Sequence, residues 1–418
     1  MWKILVLFVT ILSAETLEVF LPTQSLVKRL YIRKAEEEKG YLEKLSQVLY
    51  FDIDMGGIVE PVVSLEKEEN SSFSYLLSMQ ITDDQLFVHV TDVENQTVRK
   101  FPPVTLQYDL KEDRKKIHLL SDRIHQELFD VEGISSCRIL YTQREINPHA
   151  EGLSWISEVW ICDADGENAR QLTHLGGYCL SPGFVLGPMQ GRQFFYVYHN
   201  EGQSKIYKAF FNEPEKASLL ISMRGNQLLP SMSKGGRHIA FIADLAGRPD
   251  LFVQSFDSKG LLIGKPKQIY SSPKATQASP VFSPDGKKIA FVSDKEGVPR
   301  IYLLDLENPQ FKPKLLTRKY RDNSSPSWSF DGKKIAYAAK VEGIRQICLF
   351  DLEKEEEIVL TKGAEMKENP SWAFDSFHLL YNTEGESSEL YVMDLLRKKS
   401  IQISKGKGQK RFGSWEVR

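Results

Sequence analysis

The residues most able to do chemistry are scattered, and each set stops short of a complete site. His118, Asp122 and His125 stand at i, i+4 and i+7, which puts two imidazoles and a carboxylate on one face of a helix. A metal would need further ligands, and the surrounding sequence offers none in a recognisable pattern. These three read as a polar helix face, with His118 and Asp122 bonded to a neighbouring domain. Asp163, Asp165 and Glu167 resemble the opening of a calcium loop, but the later ligands, including the bidentate Glu at the twelfth position, are missing. Asp165-Gly166 reads as a turn between strands. Asp285, Asp331 and Asp375 recur at one place in a repeat, each followed by a turn residue, and read as hairpin carboxylates. The sequence contains no G-x-S-x-G elbow, P-loop, dinucleotide fingerprint or HExxH. The four cysteines, Cys137, Cys162, Cys179 and Cys348, are far apart without a CxxC pair and read mostly as buried thiols, with a Cys162–Cys179 bridge as the alternative. No catalytic residue, metal or cofactor is expected.

What holds these groups in place is a repeat. Ser279-Pro280-Val-Phe282-Ser-Pro-Asp285-Gly286-Lys-Lys-Ile289-Ala-Phe291 returns as Ser325-Pro326-Ser-Trp328 through Asp331-Gly332 to Tyr337, and as Asn369-Pro370-Ser-Trp372 through Asp375 to Tyr381. Weaker copies start at Leu229-Pro230 and Ser181-Pro182. The prolines are 48, 50, 46 and 44 residues apart, a period that fits propeller blades. Each unit reads as four short strands: Pro-x-aromatic closed by an Asp-Gly turn, then Ile-Ala-Phe, then Ile-Tyr-x-x-Asp-Leu and a last strand ending in Leu-Thr. A unit starting at Arg138 lacks its first strand, and Gly413-Ser414-Trp415, 43 residues after Pro370, supplies one. The expected fold is therefore mainly β, a six-bladed β-propeller over residues 131–418 closed by its C-terminal strand. The recurrent rings Phe184, Phe282, Trp328, Trp372 and Trp415 are expected to pack between blades.

Residues 15–130 have a different character, that of a small α/β domain. Glu18 to Leu21 is a candidate strand; Ser25 to Leu49 carries Leu26, Leu30, Leu42, Leu45 and Leu49 at helical spacing. Strands are predicted over 73–81, 86–92 and 98–101, and a second amphipathic helix over 113–129. Residues 1–14, with Lys3 before an apolar run and Ser13-Ala14 after it, have the layout of a signal peptide. A charge of −2 and the lack of a basic stripe argue against nucleic acid, and no later apolar run reaches transmembrane length.

The remaining working surface is the channel mouth crossed by the loops between blades. Residues just before each Pro should ring it: Gln227, Leu228 and Leu229; Gln277, Ala278 and Ser279; Asn323, Ser324 and Ser325; Lys367, Glu368 and Asn369. They are mostly small, polar or amide groups suited to bonding a partner's backbone.

The repeat, together with His118-x-x-x-Asp122-x-Ile124, Arg138-Ile139-x-Tyr141 and Asp163-x-Asp165-Gly166-x-Asn168 followed by Gln171-Leu-Thr173, resembles the TolB family. That resemblance implies a non-enzymatic periplasmic scaffold of the Tol–Pal system, supporting outer-membrane linkage and envelope integrity during cell division. Its implied partner is a Pal-like peptidoglycan-associated lipoprotein, held at the propeller mouth. The family's mature N-terminus also engages a TolA-like protein; the matching stretch here, Glu15 to Leu21, lacks the family's Gly/Pro-rich segment. The rival reading is an exported propeller that binds or hydrolyses a glycan or peptide in its channel. Such a site needs converging Asp, Glu or His on the inner strands, which here carry Val, Ser, Met, Phe and Trp instead.

Overall fold

The computed structural model describes residues 28–33, 40–64, 74–147, 154–245, 247–308, 310 and 312–418. The expected leader, the strand at Glu18–Leu21 and the N-terminal stretch tied to a TolA-like partner lie outside the described residues.

The N-terminal region is a mixed sheet covered by two helices. Strand Lys28–Arg33 runs parallel to both Val59–Ser64 and Tyr75–Thr82, and the antiparallel strands Gln85–Asp92 and Thr97–Lys100 follow. Helix α1 (Tyr41–Gly56) links the first parallel pair, and α2 (Leu110–Phe129) packs beside it. The helical spacing read over Ser25 to Leu49 needs correcting, because Leu30 and Ile32 belong to a strand and are buried two apart. Gly40, at φ 127°, stands at the N-cap of α1, and the helix then buries Leu45, Val48, Leu49 and Ile53. These residues meet Leu77, Val88, Ile117 and Ile124 in one core.

From Arg138 on, the chain makes six blades of four antiparallel strands numbered outward from the channel: blade 1 is 138–171 with 409–415, blade 2 is 178–219, blade 3 is 227–270, blade 4 is 277–315, blade 5 is 321–359 and blade 6 is 366–402. Strand Gln409–Trp415 pairs with Arg138–Ile146, setting Trp415 opposite Ile139, so the last strand completes blade 1. Blade 1 contacts blade 2 by one parallel bridge, Tyr178 to Ser157. The sealed ring leaves only short outer edges.

The repeated residues have local explanations. Asp285 accepts the Ser283 hydroxyl and the Lys287 N–H, while Gly286 takes φ 73°, which closes the first hairpin. Asp331 does the same with Ser329 and Lys333. The Thr ending the fourth strand finishes the ladder with its side chain: Thr173, Thr317 and Thr361 accept from the N–H of Val159, Ile301 and Ile347. Phe184, Phe282, Trp328, Trp372 and Trp415 are all buried, and the Trp372 indole donates across blades to the Ser327 carbonyl at 3.1 Å. All four cysteines are buried free thiols, so the alternative of a Cys162–Cys179 bridge is not realised.

Because strands alternate in direction, the turns joining strands 1–2 and 3–4 share one face of the ring, and the loops joining strands 2–3 and successive blades share the other. The N-terminal domain sits on the first face, over blades 6 and 1: Asp54 pairs with Arg397 and Lys399, and Met55 packs with Ile134, Cys137 and Val392. Among the described residues, no helix is long and apolar enough to cross a membrane.

Candidate functional site

The face away from the N-terminal domain carries the loops picked out in the sequence. Every inner strand is bulged there, as in the slips between Leu228 and Ser231, Ala278 and Val281, and Glu368 and Ser371. One residue of each bulge is left-handed: Ser181, Leu229, Ser279, Ser325, Asn369 and Phe412, with φ between 46° and 54°. A non-glycine residue there costs roughly 1 kcal/mol or more, least for short polar side chains. Bulges re-aim side chains, and here the same one recurs in every blade around the mouth.

The bulge sorts the expected contact residues into two groups. Gln227, Gln277 and Asn323, expected at the partner surface, are buried instead, with exposures of 0, 2 and 1%. They lie before the bulge and turn toward the end of the preceding blade, where they hold the incoming loop. The Gln227 amide donates to the Ile221 and Met223 carbonyls, and its oxygen accepts from the Ile206 N–H. Asn323 donates to the Tyr320 carbonyl and accepts from the Thr317 hydroxyl; Gln277 donates to the Ala275 carbonyl. Lys367 fills the same place, donating to the carbonyls of Lys362 and Glu365, and burial draws its ammonium below the usual lysine range.

Leu228, Leu229, Ala278, Ser279, Ser324, Ser325, Glu368 and Asn369 are only half-buried and remain on the rim. Blades 5 and 6 knit theirs together. The Ser324 hydroxyl donates to Glu368 at 2.9 Å, Arg345 pairs with the same carboxylate at 3.0 Å, and Ser325 donates to Asn369. Burial holds the Glu368 carboxyl above its ordinary range, although Arg345 and Ser324 pull it down. Arg411 pairs with Glu384 nearby. Sequence reasoning passed over Arg345, Glu384 and Arg411, since no repeated motif includes them. The rim is polar and charged over blades 5 and 6, and more apolar where Leu180, Leu228, Leu229 and Ala278 lie.

The helix-face residues fall far from this rim, between the two domains. Asp122 accepts from the N–H groups of Ser135 and Ser136 and from the Ser136 hydroxyl, and Arg418 pairs with it at 2.7 Å. His125 donates from Nδ1 to the Ser121 carbonyl, and His118 is bonded to Asp52. Ligand-type atoms of His118, Asp163 and Asp165 lie within 4.8 Å of one another. Arg114 already occupies the Asp165 carboxylate and the Asn168 amide the Asp163 one, so a dication would have to displace both.

An α/β domain seated on one face of a six-bladed ring, with a bulged rim open on the other, defines a two-domain β-propeller protein. Comparison with known proteins narrows the class. The profile of the TolB beta propeller domain matches residues 125–418. "Protein TolB homolog" of Chlamydia pneumoniae is 34% identical over 414 residues, covering 98% of this chain and 94% of that one. The protein of the same name from Protochlamydia amoebophila is 38% identical over 75% of this chain and 73% of its own. The crystal structure of TolB from Acinetobacter baumannii superposes with a TM-score of 0.76 at 22% identity, covering 93% of this chain and 96% of that one. The chain belongs to the TolB family.

Proposed function

We propose that this protein is a non-enzymatic periplasmic scaffold of a Tol–Pal system, binding a Pal-like peptidoglycan-associated lipoprotein at the channel mouth away from the N-terminal domain. Through that linkage it supports outer-membrane attachment and envelope integrity during division. The observation that carries the reading is the rim itself, where half-buried backbone-bonding groups sit on a strained, pre-set hoop, in a chain of the TolB family. Rigid bulges present a partner with groups that need little further ordering, which favours binding. The rim carboxylates Glu368 and Glu384 are each neutralised by an arginine, an arrangement suited to recognition rather than to acid–base hydrolysis.

Ala278→Arg and Leu228→Glu test this, because both side chains are only half-buried at the rim, although each also packs against a blade core, and neither position is left-handed. The affinity of each variant for the soluble domain of the lipoprotein from the same envelope is measured by calorimetry. Binding at least tenfold weaker, with an unchanged melting curve, supports the assignment; wild-type affinity in both variants refutes it.

A further inference from the structure

Two buried histidines, one from each domain, cross the domain boundary in opposite directions. His118 of α2 faces Asp52 of α1 through Nδ1, at 2.7 Å, while its Nε2 is 3.6 Å from Asp165 and 4.0 Å from Asp163 on the blade 1 turn. His378 of blade 6 faces Asp375 through Nδ1 at 2.5 Å and the Met55 carbonyl of α1 through Nε2 at 2.7 Å. The groups facing both nitrogens of both rings are acceptors. A neutral imidazole can donate from only one nitrogen, so it would turn a lone pair toward a carboxylate or a carbonyl. Only the imidazolium presents a proton to both sides, as two hydrogen bonds at His378 and, at His118, as one hydrogen bond to Asp52 and a charge 3.6 Å from Asp165.

We infer that the N-terminal domain is clasped to the propeller by two imidazolium rings, His118 and His378, so that docking of the two domains is proton-linked.

The surrounding charges agree with this assignment. About His118 stand Asp52 from α1, Arg114 and Asp122 from α2, and Asp163 and Asp165 from blade 1. With the ring protonated, His118, Arg114 and Arg418 pair with Asp52, Asp165 and Asp122, and Asp163 accepts the Asn168 amide. Burial raises the Asp52 carboxyl to about 7 against the pull of His118, and loss of the ring's proton removes the counter-charge of that carboxylate. Burial alone would lower the His118 pKa, but Asp52, followed by Asp165 and Asp163, outweighs it and pushes the value up to about 9. About His378 stand Asp375 and Asp394 from blade 6, and His125 from α2. Burial again opposes the charge, Asp375 overcomes it, and the pKa is raised. His125 is the contrasting case: burial lowers its pKa, its Nδ1 is spent on the Ser121 carbonyl, and it stays neutral.

Undocked, His118 keeps Asp52 and His378 keeps Asp375, because each carboxylate belongs to the ring's own domain, so docking adds only the acceptors facing Nε2. A ring whose Nδ1–H is held in its own domain needs its second proton at Nε2 to meet those acceptors. Docking therefore weakens as pH rises through the pKa values of the rings, by at most about tenfold per pH unit for each ring.

A cysteine introduced as Met55→Cys, at a residue 1% exposed between the domains, reports opening through its labelling rate, corrected for thiol ionisation and located by peptide mass spectrometry. Cys348, inside blade 5, serves as the reference for propeller unfolding. Protection of the introduced thiol is expected to fall at least tenfold overall between pH 6.5 and 9 while that of Cys348 stays level. Adding His118→Gln should shallow the slope, and His118→Gln with His378→Gln should remove it. Constant protection across this range in the protein with both histidines intact overturns the inference without any histidine variant being needed. So does a slope that survives in the double variant.

Discussion

Arg138 and Glu416, 278 positions apart, lock the ring at its seam: the Arg138 Nε donates to the Glu416 carboxylate at 2.8 Å and the Arg138 N–H to the same oxygen at 3.2 Å. The guanidinium also lies 4.6 Å over the Phe211 ring of blade 2. One residue thus ties the start of blade 1 to the chain just past the closing strand. Glu416→Ala leaves a half-buried guanidinium short of its main partner and should cost roughly 1–2 kcal/mol. Glu307→Ala, which breaks the exposed Lys287–Glu307 pair, should cost much less. Urea unfolding of both variants checks the ranking; equal costs would show that the seam contact adds nothing special.

Thr317 is expected to matter through its oxygen. Its hydroxyl accepts from the Ile301 N–H at 3.0 Å and donates to Asn323, so one atom joins strand 3, strand 4 and the next blade. Thr317→Val keeps the shape and leaves two buried polar groups unpaired, a loss of about 2 kcal/mol. Thr317→Ser should recover most of it. The same ordering is expected at Thr361, which serves Ile347 and Gln346. If valine and serine prove equivalent by chemical denaturation, the ladder does not need the hydroxyl.

Asp122 governs the passage from α2 into blade 1. Its carboxylate takes the N–H groups of Ser135 and Ser136 at 2.7 and 3.1 Å, and Gly133 packs so closely that a Cβ there would lie 2.4 Å from that carboxylate. Asp122→Ala should destabilise by about 2–4 kcal/mol, since two N–H groups lose their acceptor. Hydrogen exchange at Ser135 and Ser136 should accelerate ahead of exchange in the blades. Unchanged exchange at these two amides would contradict the assignment.

These residues show where the sequence could be read and where it could not. Asp285-Gly286 acts through neighbours two positions away and Thr317 through Ile301 of its own repeat, so the repeat exposes where they belong, and Trp415 could be placed because its strand was missing elsewhere. Leu30 was misread because leucine suits helix and strand alike, and only its parallel partners, far along the chain, decide the matter. Gln277 and Asn323 read as loop residues but belong to the inner strands Gln277–Phe282 and Arg321–Trp328, and period-two reasoning cannot see the bulge that turns them inward. The pairing of His118 with Asp52 joins two helices 66 residues apart and leaves no periodic trace.

Asp113 should give the N-terminal domain an acid limit. Its carboxylate, at the start of α2, accepts the Tyr41 hydroxyl of α1 at 2.8 Å, the N–H groups of Gln107 and Tyr108, and the Lys116 ammonium at 2.9 Å. Burial would raise its pKa, but the bonds from Lys116, Tyr41 and Gln107 outweigh that and hold it below the ordinary carboxylate value of 3.8. A carboxylate depressed by folding contributes stability that is complete above its unfolded pKa and disappears as pH falls through the folded one. Asp113→Asn keeps the shape but removes the charge, so it should be clearly less stable than wild type near pH 6. That difference should shrink below pH 3.8, as the wild-type carboxyl takes up its proton. Comparing the variant with wild type at each pH cancels the titration of other depressed carboxylates, such as Asp285 and Asp331. A stability gap that stayed constant from pH 6 down to 3 would mean that Asp113 works through its shape and not its charge.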